Sequence, residues 1–152
     1  KLAEKIKYWK SCYRDIFVAY GDCGSNGEID RLLQSEKIER IPGLHCYEFF
    51  AGNDLFSKLS EEEPGTFYLT DFLTKNFERL VVRGLKLDQH PELIESFFGN
   101  YKRVIYLVQS SNSELTELAM GIADYLGLEF EERLTGFGDI ERSLQQKIFA
   151  IS

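Results

Sequence analysis

Three side chains in the first third of the chain have the chemistry to bind a metal ion or to act as nucleophile and base: Cys23, His45 and Cys46. A thiolate is both a nucleophile and a soft metal ligand, and imidazole binds zinc and other borderline-soft metals. Their spacing is not the compact Cys-x-x-Cys pattern of zinc sites. The three residues can therefore form one site only if the fold brings them together.

The elements that carry these residues follow from hydrophobic patterning. Apolar, β-prone runs that end in turn signals predict five strands. The predicted strands cover residues 16–20, 39–41, 66–69, 104–108 and 128–132. This pattern, with helical periodicity between the runs, predicts one α/β domain over residues 1–152, with a mostly parallel open sheet and helices on both faces in three layers.

Helices are predicted between the strands from apolar spacing and capping residues. The clearest is Ser113–Leu126, with Ser113 as its N-cap and Gly127 just beyond its end. Further helices are predicted over residues 28–38, over residues 91–98 with Pro91 in the first position, and after Asp139 as a cap. Cys12 falls on a predicted N-terminal helix, where we expect it to pack in the core.

Ligands of open parallel sheets bind beyond the carboxyl ends of the strands. Cys23 follows the first predicted strand and His45 and Cys46 follow the second, so the three should share one edge of the sheet. The sequence therefore predicts a transition-metal site, with zinc as the expected metal, ligated by Cys23, His45 and Cys46. Asp71 follows the third predicted strand and should face the same edge.

The glycine-rich residues 21–27 have two interpretations. The glycines can form the tight turn between a strand and a helix, or their backbone amides and the helix start can bind an anion. The segment matches neither G-x-G-x-x-G nor the P-loop pattern, so it does not indicate a nucleotide site. Gly21, Gly24 and Asp71 are the residues predicted to contact a cofactor if one binds at this edge.

Other roles are open to each candidate residue. A cysteine is often a small core residue, a single histidine is often structural, and Asp71 can be an ordinary helix N-cap. If the chain is an enzyme, Cys23 would be a thiolate nucleophile, His45 its general base, and Asp71 or Glu48 would orient the imidazole.

Charge and composition exclude some classes of function. Acidic residues outnumber basic ones by 25 to 18, and a net charge of -7 argues against nucleic-acid binding. No apolar run approaches the ~18 residues that a membrane-spanning helix needs, and no basic-then-apolar leader is evident. An odd number of cysteines, three, favours a reducing compartment, so we expect a cytoplasmic protein.

Longer strings resemble the bacterial and archaeal family called domain of unknown function 1638. They include Tyr-Gly-Asp-Cys-Gly at residues 20–24 and His-Cys-Tyr-Glu-Phe at residues 45–49. Further similar strings lie at residues 64–72, 83–85, 90–93 and 99–101. The resemblance maps the cysteine and histidine signatures of that family onto Cys23, His45 and Cys46, which implies a shared site.

The resemblance also suggests a metabolic setting. Members of the family are encoded beside corrinoid proteins and their methyltransferases, which implies a role in corrinoid or one-carbon metabolism. A corrinoid is then a candidate cofactor, and a corrinoid protein or methyltransferase a candidate partner, on which the chain could dock as a non-catalytic module. The family shares an upstream portion that this sequence lacks, so the sheet could lack its N-terminal strand.

Overall fold

The computed structural model describes residues 1–21, 25–41, 43 and 45–151. Helices and strands alternate along the chain, as the hydrophobic patterning predicts. The helices are α1 (Leu2–Lys10), α2 (Glu28–Glu36), α3 (Cys46–Ala51), α4 (Asn53–Glu62), α5 (Asp71–Phe77), α6 (Leu93–Phe98), α7 (Ser113–Leu126) and α8 (Gly138–Ile151). The strands are β1 (Phe17–Val18), β2 (Glu39–Arg40), β3 (Thr66–Thr70), β4 (Arg103–Val108) and β5 (Glu129–Leu134).

All five strands lie where the apolar runs predict them, and every strand pair is parallel. The strands form two sheets rather than one: β1 pairs with β2, and the order of the larger sheet is β3-β4-β5. Strands β1 and β2 have two residues each, too few to give a long pairing edge. The α/β class and the parallel pairing are confirmed.

Helices cover both faces of the larger sheet. Alternate residues of a strand point to opposite faces, and in β4 Tyr106 packs into a cluster with α5, α6 and α7. Ile105 and Leu107 point the other way and pack with Tyr68 and with residues of α3 and α4. The predicted three-layer arrangement is therefore present around β3, β4 and β5.

Helix ends differ from the predictions in detail. Helix α7 has the predicted bounds, but its N-cap is Asn112, whose Oδ1 accepts a hydrogen bond from the Leu115 N–H at 3.2 Å. Helix α6 begins at Leu93 rather than at Pro91. Asp139 is not the N-cap of α8, because α8 begins at Gly138 and Asp139 lies in its first turn. Its Oδ2 instead accepts the N–H of Asn53, the first residue of α4, at 3.0 Å.

Some helical structure is absent from the predictions. Helices α3 and α4 fill residues 46–62, and a π-helical turn over Glu78–Val82 continues α5. The predicted core position of Cys12 is wrong, because α1 ends before this residue and its side chain is exposed. Within the described ranges, no helix combines the length and apolarity that crossing a bilayer requires.

Candidate functional site

A cavity of about 570 Å³ lies beside β3 and contains two of the predicted site residues, His45 and Cys46, in its wall. A volume of this size suits a small organic ligand or a short stretch of peptide. The remaining wall is largely aromatic. Its aromatic lining residues are Tyr20, Tyr47, Phe67, Tyr68, Phe72 and Tyr101.

His45 and Cys46 reach this cavity because α3 starts there. His45 is the N-cap in extended conformation, with φ -127° and ψ 153°, and Cys46 is the first helical residue. The His45 ring stacks on Tyr47, with ring centroids 4.8 Å apart and planes inclined by 25°. Tyr47 in turn stacks on Tyr68 of β3 at 5.3 Å. Stacking occupies a face of the imidazole ring, whereas metal coordination uses the nitrogens in the ring plane.

Gly21, in the loop after β1, packs against the start of α3. A Cβ atom on Gly21 would lie 2.9 Å from the Cys46 backbone nitrogen and 3.0 Å from Cε2 of Phe49, so only glycine allows this approach. The segments that follow β1 and β2 therefore meet, as their positions after neighbouring parallel strands predict. Cys23 and Gly24 lie outside the described residues, so their positions in the site stay predictions.

Arg40 holds the loop between β2 and α3 in place. Its guanidinium donates to the backbone carbonyls of Ile41 at 2.8 Å and Gly43 at 2.6 Å. It also forms a forked ion pair with Asp30 of α2. The hydrogen bond from Arg40 lowers the pKa of the Asp30 carboxyl below its usual value. This clamp sets the path of the chain two residues before His45, and no local pattern in the sequence indicates it.

Asp71 belongs to a separate polar network at the carboxyl ends of β3 and β4. Its Oδ1 accepts from the Tyr106 hydroxyl at 2.9 Å and from the Gln109 backbone N–H at 3.2 Å. Its Oδ2 accepts from Ser110 Oγ at 3.4 Å, and its own N–H donates to Gln109 Oε1 at 2.7 Å. The N-cap of α5 is Thr70, not Asp71.

This network changes the acidity of Tyr106. Burial raises the pKa of the phenol well above its ordinary value, and the hydrogen bond to the Asp71 carboxylate raises it further. The carboxylate of Asp71 is thus engaged with three donors of its own network. Asp71 is not among the described lining residues of the cavity with His45 and Cys46.

Glu48 is the other carboxylate proposed to orient His45. It lies in the first turn of α3, and its Oε2 is 3.2 Å from the position of a Cβ atom on Gly43. Gly43 has φ +113°, a conformation that favours glycine. Glu48 therefore lies against the same loop that Arg40 holds.

The part of the chain that the structure describes contains no group of three or more His, Cys, Asp or Glu side chains that could hold a metal ion. The predicted set includes Cys23, which lies outside that part. The aromatic wall was not predicted from the sequence. The sequence signal that could have indicated this wall is the placement of aromatic residues directly before Gly21 and directly after Cys46 and Asp71.

Comparison with known proteins identifies the chain at the level of family. No curated protein and no solved structure matches it. One family does match, over residues 1–144, which is nearly the whole sequence. The signature strings at residues 20–24 and 45–49 lie within the matched region. The chain thus belongs to the family described as proteins of unknown function, DUF1638.

Proposed function

We propose that this protein binds a borderline-soft metal ion, with zinc the expected metal, through Cys23, His45 and Cys46. The observation that supports this most strongly is the contact of Gly21 with the backbone of Cys46. Cys23 follows Gly21 by two residues, and two residues of chain span at most ~7 Å. Chain connectivity therefore allows the Cys23 thiol to reach the side chains of His45 and Cys46.

The donor set suits the proposed metal. Two thiolates and one imidazole are among the ligands that zinc prefers, and a bound zinc ion with three protein ligands keeps a position open for a fourth. Cys46 and His45 are neighbours that both line the cavity, because the chain passes from extended to helical conformation between them. In a fully extended chain, adjacent side chains point to opposite sides. Because the helix begins at Cys46, the side chains of His45 and Cys46 can lie on the same side.

We place the metal site in corrinoid or one-carbon methyl-transfer metabolism, in the cytoplasm. The support is the resemblance of the signature strings to a family encoded beside corrinoid proteins and methyltransferases. A corrinoid protein or methyltransferase is then the expected partner. The acidic surface implied by the net charge of -7 offers a means of docking on a partner with a basic face.

The test is elemental analysis of anaerobically purified protein, with variants matched by residue type. We expect close to one metal ion per chain in the parent, and a loss of most of it in His45→Ala and Cys46→Ser. His90→Ala and Cys12→Ser are the controls, because both side chains are exposed and neither lines the cavity. Retention of metal in His45→Ala and Cys46→Ser, with circular dichroism unchanged, would contradict the proposal.

A thiol-dependent enzyme is the alternative use of the same residues. It needs a carboxylate to orient His45, and the engagement of Asp71 with Tyr106, Gln109 and Ser110 leaves Glu48 as the better candidate. Alkylation separates the two functions. A metal-bound Cys23 should react only after a chelator is added, whereas an activated nucleophile should react without chelator and more slowly in His45→Ala.

A further inference from the structure

A second cavity, of about 690 Å³, lies between α7 on one side and α5 with its π-helical continuation on the other. None of its described lining residues also lines the cavity that contains His45 and Cys46. Helix α5 contacts β3 and β4, and α7 contacts β4 and β5, so this cavity lies over the middle of the larger sheet. A strand added at either edge of that sheet would therefore leave the cavity open.

The floor of this cavity is apolar except for one hydroxyl group. Its buried lining residues are Thr74, Phe77, Val82 and Ile122. Thr74 is 3% exposed, and its Oγ1 has no hydrogen-bond partner among the described residues. A buried hydroxyl without a partner costs free energy, and folded proteins rarely retain one. The Thr74 hydroxyl is thus a group at the floor that a polar atom of a ligand could satisfy.

Gly121 keeps the opposite wall of the cavity open. It lies in the interior of α7, where glycine destabilises a helix relative to alanine. Among the described residues, no side chain lies within 4 Å of a Cβ atom built on Gly121, so close packing does not require glycine there. Because Gly121 lines the cavity, a larger side chain would occupy part of it. A wall that stays open at a cost in helix stability indicates a site for a ligand.

Aromatic rings form the sides of the cavity. Phe77 at the floor and Tyr125 at the rim pack edge to face, with ring centroids 6.3 Å apart and planes inclined by 81°. Leu118, one helical turn before Tyr125 and Gly121, is 53% exposed beside them. Apolar and aromatic walls of this kind favour a ligand with an aromatic body.

The charges at the rim favour a cationic group on the α7 side. Three carboxylates and one ammonium line the rim: Glu78, Glu114, Glu117 and Lys75. Glu78 pairs with Arg83 at 3.3 Å, and Glu114 lies in the first turn of α7, where a carboxylate stabilises the helix itself. Glu117 is then the carboxylate left for a ligand, and Lys75 on α5 repels a cation toward it.

We propose that this cavity binds an aromatic amine that carries a hydrogen-bonding group at the far end of its ring. The ring lies against Phe77 and Tyr125, the ammonium lies at Glu117, and the far group supplies the partner that Thr74 Oγ1 lacks. The volume is within the usual range for sites of small organic ligands. The π-helical turn at the cavity, in which the Arg83 N–H donates to the Glu78 C=O at 2.9 Å, is a feature frequent at functional sites.

Three small molecules that differ by one group test the proposed chemistry. Tyramine has both the ammonium and the hydroxyl, phenethylamine lacks the hydroxyl, and desaminotyrosine has a carboxylate in place of the ammonium. Each is titrated into the isotopically labelled full chain, up to the low millimolar range, and amide shifts are followed by NMR. We expect saturable shifts with tyramine in α5 and α7, and binding several-fold weaker for the other two. Absence of saturable tyramine binding, or equally tight binding of desaminotyrosine, would overturn the proposal.

Blocking the cavity tests its location. Gly121→Leu places a side chain in the open wall and should weaken tyramine binding at least tenfold without unfolding α7, since leucine favours helix more than glycine does. Met120→Leu is the control, because Met120 is 48% exposed on the same helix and does not line the cavity. Tyramine that binds Gly121→Leu as tightly as the parent would overturn the proposal.

Two threonine variants test the role of the floor hydroxyl. Thr74→Val removes the unpartnered hydroxyl at nearly constant shape, so it should raise the midpoint of thermal unfolding of the free protein and weaken tyramine binding several-fold. Thr116→Val removes a hydroxyl that donates to Glu132 Oε2 at 2.8 Å and does not line the cavity. It should lower the midpoint and leave tyramine binding unchanged. Tyramine affinity that is the same in Thr74→Val and the parent would contradict the proposed contact. Because neither cavity shares a described lining residue with the other, these results leave the metal analysis unaffected.

Discussion

Asp71 connects the ends of two strands through its carboxylate. It accepts hydrogen bonds from the Tyr106 hydroxyl and the Gln109 N–H, while Gln109 Oε1 accepts the N–H of Asp71. Tyr106 is fully buried, so its hydroxyl has no access to water and depends on this partner. At the scale of single residues, the Asp71 network holds the carboxyl ends of β3 and β4 together.

Replacing Tyr106 with Phe should reveal this bond as a change in pH dependence. Near neutral pH we expect Tyr106→Phe to lower the free energy of unfolding by about 1 kcal/mol, because Asp71 loses a donor. The raised pKa of Tyr106 means that the native protein keeps a proton that the unfolded chain loses above about pH 10. The stability of the parent should therefore fall with pH above this value, and the difference between the two proteins should shrink.

Urea unfolding of the parent and Tyr106→Phe between pH 8 and pH 11 measures this difference. The slope in the difference cannot exceed about 1.4 kcal/mol per pH unit for one proton. If the difference in the free energy of unfolding stayed constant from pH 8 to pH 11, Tyr106 would titrate alike in the folded and unfolded states. That result would contradict the effect of burial and of Asp71 on its pKa.

At the scale of elements, the position of α3 depends on two contacts that hold the preceding loops. Arg40 should not be replaceable by Lys, because a single ammonium cannot donate to Ile41, Gly43 and Asp30 as the fork does. We expect Arg40→Lys to lower the free energy of unfolding by about 1–2 kcal/mol through the two carbonyls alone. Arg79→Lys is the control, since Arg79 is exposed and donates only to Asn76 among described partners.

The metal content of Arg40→Lys distinguishes a local from a general effect. Thermal unfolding gives the stability change, and elemental analysis of the same samples gives the occupancy. We expect occupancy to fall in Arg40→Lys and to stay at the parent level in Arg79→Lys. Equal occupancy in both variants would mean that the loop held by Arg40 does not position His45.

The approach of the β1 loop to α3 can be tested with glycine variants. Gly21→Ala should destabilise the protein by about 1–3 kcal/mol and lower metal occupancy, because its methyl group would collide with the Cys46 nitrogen and the Phe49 ring. Gly121→Ala is the opposite case, since nothing lies within 4 Å of a Cβ atom there and the residue is in the interior of α7.

We expect Gly121→Ala to stabilise the protein by about 0.5–1 kcal/mol, from helix propensity alone. Chemical denaturation of the three proteins measures both effects with the same probe. If Gly21→Ala were as stable as the parent, the close packing of Gly21 on α3, and with it the main support for the shared site, would be wrong.

The elements that the sequence predicts well are those with regular local signals. The five strands and α7 stand out through apolar runs and two marked helix ends, and these signals are local. Helices α3 and α4 were missed because Gly52 interrupts the segment and because the aromatic residues Tyr47, Phe49 and Phe50 do not by themselves indicate a helix.

Contacts between distant residues could not be predicted in the same way. Asp139 caps α4 from a position 86 residues away, and Tyr106 meets Asp71 across 35 residues. Nothing in the local sequence of either partner marks such a pair. His45 and Cys46 were predicted at the edge because parallel strands end together, whereas the aromatic wall depends on how whole layers pack.

For the whole molecule, we expect residues 1–152 to unfold as one cooperative unit. Trp9 in α1 is the only tryptophan, and Lys10 of the same helix pairs with Glu36 at 2.7 Å. We predict that tryptophan fluorescence and far-ultraviolet circular dichroism follow one unfolding transition with the same midpoint. Separate midpoints would contradict the assignment of residues 1–152 to a single domain.

Binding of one metal ion by Cys23, His45 and Cys46 together can be tested by X-ray absorption at the zinc edge of zinc-loaded protein, which measures the ligand types directly. We expect two sulfur ligands at ~2.3 Å and at least one nitrogen at ~2.0–2.1 Å, with one sulfur lost in Cys23→Ser and one in Cys46→Ser. A first shell without sulfur, or a shell unchanged in both variants, would contradict it.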